Sequence, residues 1–305
     1  STYADDEADV QIRFSIGTSD GSWQYCGWNI DELAVSGTII PVNGDFRSRG
    51  SRNWPNNLAW QKYNGVVWAN TNDDPGLNSN VNTVTIRAGH TIILNRNIRP
   101  LGAYTINNLV VEGTLNIGSD ATVRSLTIAG SVTGSGTINM TQDNAAHNLT
   151  VGGDFTVATF NSGSANLFLN GAGNQQVNGF VFNNLEVSGG GDKSLGGNSE
   201  VKSDLNLNGA IVHLDDNNLV IQDGATISGT PSASNMITTD GTGVLIKEGS
   251  ASADFVMTYP VGTGSVYTPM IISALTSTGT GDIQIRAVAG VASGPPPLAT
   301  SDLNK

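Results

Sequence analysis

Apolar and polar residues alternate through much of this 305-residue chain. Between residues 81 and 248 the alternation takes a repeated form, Leu-x-aliphatic-x-Gly. The five copies are Leu109–Gly113, Leu126–Gly130, Leu149–Gly153, Leu185–Gly189 and Leu205–Gly209. Alternation of this kind predicts a β-strand with one buried and one solvated face. The repeat therefore predicts five similar strands whose Leu and aliphatic side chains point into a core.

The spacing of the copies indicates how the strands are arranged. The intervals between their first leucines are 17, 23, 36 and 20. A spacing of about 20 residues is typical of one coil of a β-solenoid, and the longest interval could hold a double coil or an insertion. Coils of this size must stack, about 4.8 Å apart, because one coil alone has too little core. An up-and-down meander or a sandwich of similar hairpins is the alternative.

Asn and Asp residues recur close to the repeat leucines. They are Asn107-Asn108, Asn148, Asn183-Asn184 and Asp204. Because Asn and Asp side chains readily bond to nearby backbone groups, we expect hydrogen bonds within turns at the coil corners. The glycine that closes each repeat is predicted to let the chain bend at the same corners.

Four regions follow from the pattern. Residues 1–42 predict the C-terminal strands of a jelly-roll-like module whose earlier strands are missing, and residues 43–80 form a Trp-rich cap or linker. Residues 81–248 hold the solenoid-like repeats, and residues 249–305 begin a sandwich-like module with a Pro-rich linker. The predicted fold class is all-β, a β-solenoid-like repeat array flanked by β-sandwich modules, jelly-roll-like and Ig-like.

Composition narrows the classes of function. The net charge is −12 and only 13% of the residues are charged. Few Lys and Glu are present for helix surfaces, so helical bundles and α/β folds are close to excluded. An acidic chain without a Lys/Arg stripe predicts no binding of nucleic acid. No apolar run approaches the roughly 20 residues that cross a bilayer, so we expect no membrane insertion.

Candidate catalytic groups are scattered. The three histidines lie far apart in sequence and are expected to face solvent or strand edges; they are His90, His147 and His213.

A solenoid enzyme acting on acidic polysaccharide would need carboxylates on adjacent coils, often beside basic groups. The residues available for that role are Asp192, Lys193, Asp204, Asp215 and Asp216. Acidic turn residues on a solvated surface are the better interpretation, so no catalytic residues are predicted.

Two kinds of binding site are also considered. Calcium prefers hard oxygen ligands, and Asp20, Asp31 and Glu32 could meet at one end of the first predicted sandwich. Exposed aromatic rings can stack on sugars, which makes a carbohydrate-binding module the alternative function. The candidate rings are those of Trp23, Tyr25, Trp54, Trp60 and Trp68.

Several segments resemble known families. Val10–Phe14 and Gly27–Leu33 resemble the closing strands of jelly-roll modules in secreted bacterial proteins, which usually end Gly-Trp-x-Ile-Asp-Asp-aliphatic; Glu32 stands in place of the second Asp. Three later segments are similar to large multi-modular surface proteins of Bacteroidota. They are Phe46–Trp54 with Trp60 and Trp68, Val84–Leu94, and Tyr259–Gly262.

This resemblance implies export to the cell surface by the type IX route and a role in adhesion or surface structure. We therefore expect a non-catalytic structural or adhesive segment of a long extracellular surface protein or filament. Surface glycans or other cell-surface proteins are the expected partners. Self-assembly into filaments through exposed strand edges is a further expectation.

Overall fold

The computed structural model describes residues 40–56, 58–98, 104–249, 255–274 and 281–290. The chain divides into two compact units, Ser1–Ile40 and Pro41–Lys305, and every described residue except Ile40 belongs to the second. Within these ranges the protein is all-β, without a helix, and forms a β-solenoid of about 8 turns with additional sheets. None of the described segments is therefore a helix that could span a membrane. The predicted jelly-roll strands fall on residues outside the described ranges.

The described residues form 28 strands. In chain order they are β1 (Phe46–Ser48), β2 (Arg52–Asn53), β3 (Trp60–Tyr63), β4 (Trp68–Asn70), β5 (Val81–Ile86), β6 (Thr91–Leu94), β7 (Ile106–Val111), β8 (Thr114–Ile117), β9 (Ser125–Ile128), β10 (Val132–Thr133), β11 (Thr137–Asn139), β12 (Asn148–Val151), β13 (Thr159–Asn161), β14 (Asn166–Leu169), β15 (Gln175–Val177), β16 (Val181–Ser188), β17 (Lys193–Leu195), β18 (Ser199–Asn208), β19 (Val212–His213), β20 (Leu219–Ile221), β21 (Thr226–Gly229), β22 (Ile237–Thr238), β23 (Leu245–Lys247), β24 (Phe255–Tyr259), β25 (Val261–Thr263), β26 (Val266–Tyr267), β27 (Met270–Ala274) and β28 (Ile283–Ile285).

Each strand pairs mainly with the strands one coil before and one coil after it. The sheet orders are β10-β7-β5-β1-β3-β4, β13-β11-β8-β6-β2, β28-β23-β20-β18-β16-β14-β12-β9 with β21 beside β18, β15-β17-β19-β22-β25-β26, and β24-β27. Pairing from β9 through β12, β14 and β16 to β18 is parallel throughout. A meander would have paired neighbouring strands antiparallel. The predicted β-solenoid is thus confirmed, and the meander is not observed.

A row of leucines in register forms the centre of the core. Each residue of the row is the Cα partner of the next, and at most 3% of any of them is exposed. The row consists of Leu126, Leu149, Leu167, Leu185 and Leu205. Two positions later, a second buried row holds Ile128, Val151, Leu169, Val187 and Leu207. Burial of these side chains, at about 25 cal/mol per Å² of apolar area, holds consecutive coils together.

The first repeat copy belongs to a different row. Leu109 lies in β7, where it pairs in register with Val84 of β5 and Val132 of β10. The longest interval, from Leu149 to Leu185, holds one additional coil. Its strand β14 begins one residue before the segment Leu167–Gly171 and contains the first three residues of that segment. This segment also fits the Leu-x-aliphatic-x-Gly pattern. Of the two alternatives for the interval, the structure therefore shows the double coil.

Glycines at the end of a repeat, such as Gly130, or one residue before it, such as Gly152, lie against the backbone of the preceding coil, whereas a Cβ at Gly209 would meet nothing within 4 Å. A Cβ added at Gly152 would meet the carbonyl oxygen of Ala129, and one at Gly130 would meet that of Asn107, well inside van der Waals contact. At these positions the structure therefore adds a steric requirement for glycine to the predicted bend of the chain. Only a residue without a side chain lets the two backbones approach so closely.

Antiparallel strands and large aromatic side chains lie at the ends of the parallel sheets. At one end β3 adds antiparallel to β1 and β4 adds antiparallel to β3; at the other, β26 and β28 add antiparallel to β25 and β23, respectively. Trp54 and Trp60 are fully buried, with their ring centroids 4.9 Å apart.

The sheets run across the predicted region limits, because β1 pairs with β5 and β22 pairs with β25. The assignment of separate regions stays a prediction.

The close coil contact at Gly152 leads to a testable prediction. We expect Gly152→Ala to lower the free energy of unfolding by about 1–3 kcal/mol, because the added methyl group must push two coils apart. The matched control is Gly173→Ala, since a Cβ at Gly173 meets nothing within 4 Å. That control should range from no change to a gain of about 1 kcal/mol. Urea unfolding followed by circular dichroism measures both, and equal effects would contradict the steric explanation.

Candidate functional site

The predicted calcium ligands Asp20, Asp31 and Glu32 lie outside the described residues. The same is true of Trp23 and Tyr25. Within the described ranges, no group of three or more His, Cys, Asp and Glu side chains is placed to hold a metal ion.

One solvated surface is built from the outward positions of six adjacent strands. We call it the polar face, and it has two rows that run across β9, β12, β14, β16, β18 and β21. The amide row is Ser125, Asn148, Asn166, Asn184, Asp204 and Thr226. The hydroxyl row is Thr127, Thr150, Phe168, Glu186, Asn206 and Ser228. Because side chains alternate along each strand, the buried leucines fix both rows on the outside.

Side chains of the amide row bond to one another. Asn184 Nδ2 donates to Asn166 Oδ1 at 2.8 Å, and Asn166 Nδ2 donates to Asn148 Oδ1 at the same distance. Asn148 Nδ2 in turn donates to Ser125 Oγ at 3.3 Å. The prediction of turn hydrogen bonds is therefore wrong for Asn148 and Asn184. Their amides instead join consecutive coils, because parallel in-register strands place identical side chains side by side.

Two carboxylates lie on the polar face, and neighbouring coils supply their donors. Glu186 accepts hydrogen bonds from Asn206 Nδ2 at 3.1 Å and Asn208 Nδ2 at 3.0 Å. Asp204 accepts from the hydroxyls of Thr226 and Ser228 on the adjacent strand β21, so the prediction of turn hydrogen bonds is wrong for this residue as well. The two rows contain no Lys or Arg. The polar face is consequently negative, with its carboxylates held in place by neutral donors.

A shallow depression of about 400 Å³ lies on the polar face. Its lining residues are Ser125, Thr127, Asn148, Thr150, Phe168, Asn170, Glu186 and Ser188. Phe168 is the one aromatic side chain in the two rows, and it is half-buried. The depression thus combines an aromatic ring with hydroxyl, amide and carboxylate groups, a combination typical of ligand sites that need orientation as well as contact.

A second cavity, of about 540 Å³, lies beside β21. Strand β24 pairs with β27 there, and among the described residues β21 pairs with β18 alone. Apolar and charged side chains both line the cavity, including Ile227, Met257 and Lys247. Burial lowers the pKa of Lys247. The lysine donates to the backbone oxygen of Gln222, so its charge is already engaged by the protein.

The histidines differ in their surroundings. His147 is fully buried, which corrects the expectation that it faces solvent or a strand edge. Its Nδ1 accepts the backbone N–H of Arg124 at 3.0 Å, and its Nε2 lies 2.9 Å from Asp143 Oδ1. Because Nδ1 is the acceptor, the ring carries a proton on Nε2, which faces the carboxylate. The ring nitrogen thus takes the place of a backbone carbonyl oxygen as the acceptor for the N–H of Arg124.

The other two histidines pair with buried hydroxyl groups. His90 Nδ1 lies 2.8 Å from Ser48 Oγ, and His213 Nδ1 lies 2.8 Å from Thr238 Oγ1. His213 Nε2 also contacts Asp192 Oδ2 at 3.1 Å. Both hydroxyl-bearing residues are at most 1% exposed. A substrate atom could not reach these oxygens in this conformation, so the geometry supports a structural role for both pairs.

Lys193 occupies an inward position of the core and is 1% exposed. It pairs in register with Gln175 on one side and Val212 on the other. Its ammonium donates to the carbonyl oxygen of Gly171 at 2.9 Å. Burial lowers the pKa of Lys193 from 10.5 to about 8, while the nearby charge of Asp192 acts in the opposite direction.

The residues considered for polysaccharide cleavage do not meet at one place. Asp192 precedes β17 and Asp204 lies in β18, which belongs to another sheet. Asp216 accepts hydrogen bonds from the backbone and hydroxyl of Thr242. Those bonds lower the pKa of Asp216, because they favour the charged form of the carboxylate. The prediction that these are turn and surface acids stays the better interpretation of the described geometry.

Two of the proposed sugar-binding tryptophans are corrected by the structure. Trp54 and Trp60 are fully buried, and their indole N–H groups donate to the carbonyl oxygens of Pro75 and Trp54. Trp68 is partly exposed, but the guanidinium carbon of Arg47 lies 4.5 Å from its ring centroid. Sequence reasoning instead missed Phe168, although its outward position between Leu167 and Leu169 was a signal for it.

Comparison with known proteins gives no relative. No protein-family description, no curated protein and no solved structure matches the chain.

The amide row leads to a prediction on stability. We expect Asn166→Ala to lower the free energy of unfolding by about 1–2 kcal/mol, because it removes a donor and an acceptor from half-buried partners on both sides. The control is Asn82→Ala, an exposed strand residue whose amide, within the described ranges, bonds to neighbouring Thr83 alone, at 3.4 Å. Chemical denaturation compares the two variants. Indistinguishable losses would show that the row contributes nothing.

Burial of Lys193 leads to a prediction on pH. Its pKa in the folded protein is about 8, against 10.5 for the ordinary side chain. Between these values the unfolded chain binds more protons, so the free energy of unfolding should rise as the pH rises from 8 to 10.5. Lys193→Met should reduce this rise and stabilise the protein at pH 7, by at most about 3 kcal/mol; a smaller rise remains, because burial also lowers the pKa of Lys247.

The matched control is the exposed Lys202→Met. It should keep the pH dependence of the unaltered protein. Urea unfolding at several pH values between 7 and 10.5 provides the measurement. A flat profile in the unaltered protein would show that Lys193 is not desolvated as the structure indicates.

Proposed function

We propose that this chain is a structural and adhesive segment of a long extracellular surface protein or filament, and that it is non-catalytic. The observation that supports this most strongly is the continuous ladder of inward side chains, in register from coil to coil. In such a repeat each coil contacts only its neighbours, and stability is approximately a sum over coils and their interfaces. That is a suitable construction for a segment that must give length and stiffness.

The surface chemistry supports the same function. Side chains of the amide row use their donors and acceptors on each other, which leaves less of the surface open to chance association. A net charge of −12 with few lysines also limits nonspecific contact. Export to the cell surface by the type IX route, self-assembly into filaments, and binding of surface proteins or glycans are parts of this proposal that rest on the family resemblance.

Calcium remains part of the proposal for the first unit. Asp20, Asp31 and Glu32 supply the oxygen ligands that calcium prefers. Calorimetric titration of the full chain with calcium is the test, with the triple Ala variant as the control. Absence of binding would remove calcium from the proposal and leave the solenoid function as it stands.

Location and size of the native protein test the proposed function directly. An antibody raised against this chain should label intact cells of the source organism. On a denaturing gel it should detect a band far above 31.6 kDa, the mass of the chain. An antibody to a cytoplasmic protein provides the control for cell integrity. Labelling only after permeabilisation, or a native band at the mass of this chain alone, would contradict a segment of a long surface protein.

A carbohydrate-binding module is the second candidate function. The depression on the polar face, with Phe168 among hydroxyl and amide groups, is the specific observation that favours it.

A further inference from the structure

We propose that the depression around Phe168 binds a neutral oligosaccharide. The proposal deepens the adhesive part of the proposed function by naming the site and the class of ligand. It rests on the proposed function only for where the sugar is met, at a cell surface. The binding site itself depends on four features of the polar face, which are an aromatic ring, free hydrogen-bonding groups, negative charge and size.

Phe168 is an aromatic ring in a row of polar side chains. It lies in register between Thr150 and Glu186 and is half-buried. Neither neighbour is apolar, and the inward residues Leu167 and Leu169 already supply the core of this coil. The exposed part of the ring therefore has no packing partner among the side chains in its row. A flat apolar surface beside polar groups suits the C–H face of a sugar ring.

Four of the polar side chains that line the depression are free to bond to a ligand, unlike those of the amide row. Within the described residues, the hydroxyls of Thr127, Thr150 and Ser188 and the side chain of Asn170 make no hydrogen bond to another side chain or backbone group. Glu186 is held by two amides and still has lone pairs to offer. Sugar hydroxyls both donate and accept, so they match this mixture of groups.

Charge decides which sugars fit. Glu186 lies in the depression and Asp204 is two strands from Phe168, while the two rows contain no Lys or Arg. A uronic or sialic acid would bring a like charge to this surface, without a cation to offset it. Neutral sugars avoid that repulsion. The depression therefore favours neutral over acidic oligosaccharides.

Size agrees with an oligosaccharide. The volume of about 400 Å³ is near the lower end of the range for small-molecule sites. Four strands contribute to the lining, from β9 to β16, and at about 4.8 Å per strand they extend roughly 14 Å across the coils. A chain of several sugar rings would cross these strands and use Thr127, Phe168 and Glu186 together.

Calorimetry on the full chain with defined oligosaccharides tests the proposal. The neutral probes are cellohexaose, xylohexaose, mannohexaose and maltohexaose, and the acidic probe is a hexamer of galacturonic acid. We expect at least one neutral probe to bind and the acidic hexamer not to bind. Phe168→Thr, which copies its neighbours Thr127 and Thr150, should weaken binding by at least about tenfold, equivalent to about 1.4 kcal/mol.

The control variant is Val181→Thr, an exposed position of β16 outside the depression. It also replaces an apolar side chain by threonine, and it should bind as the unaltered chain does. Unchanged circular dichroism spectra and melting temperatures confirm that both variants are folded. Glu186→Gln should make binding of the galacturonic acid hexamer detectable, since the like charge in the depression is gone.

Each remaining outcome overturns the proposal. If none of the neutral probes binds, the depression is not an oligosaccharide site. If a probe binds equally to Phe168→Thr and the unaltered chain, the sugar site lies elsewhere. Intracellular location of the native protein would contradict the proposed function, whereas loss of sugar binding would not, so the two failures can be distinguished.

Discussion

In-register stacking of inward aliphatic side chains between coils is the constraint from which the rest of this structure follows. Leu149, Leu167 and Leu185 are paired position by position, and none is more than 3% exposed. A slip of one residue would turn these side chains to water, so the register is strongly specified. The distance between coils is then set by backbone hydrogen bonds. At Gly130 and Gly152 a glycine is required because that distance leaves no room for a Cβ.

The same register arranges the outer surface. Once the leucines are buried, residues at alternate positions of adjacent strands must form rows, whatever their chemistry. In the amide row three adjacent asparagines bond to one another. In the hydroxyl row Phe168 separates Thr150 from Glu186, and among the described residues the hydroxyl of Thr150 makes no hydrogen bond. One row thus reinforces the stack, and the other leaves groups free for a ligand.

Polar residues inside the solenoid show where local sequence patterns mislead. Lys193 and His147 are types that usually face water, yet one is 1% exposed and the other fully buried. Each is accommodated by backbone groups of a neighbouring coil, through the carbonyl of Gly171 and the N–H of Arg124. Those partners are 22 and 23 residues away in sequence. No local pattern could reveal them, because the contact exists only after the coils have stacked.

The sequence by itself determined the all-β class, the alternation of buried and exposed positions, and a coil of about 20 residues. These follow from side-chain period and glycine placement, which are local properties of the chain. The sequence left open whether the interval between Leu149 and Leu185 held a double coil or an insertion, although Leu167 and Leu169 fit the repeat pattern. Only the tertiary structure decided that the asparagines of the amide row bond to each other, that Trp54 and Trp60 are core residues, and that Phe168 lies in a depression. The physical reason is register: which residues of different coils become neighbours depends on the length of every loop between them.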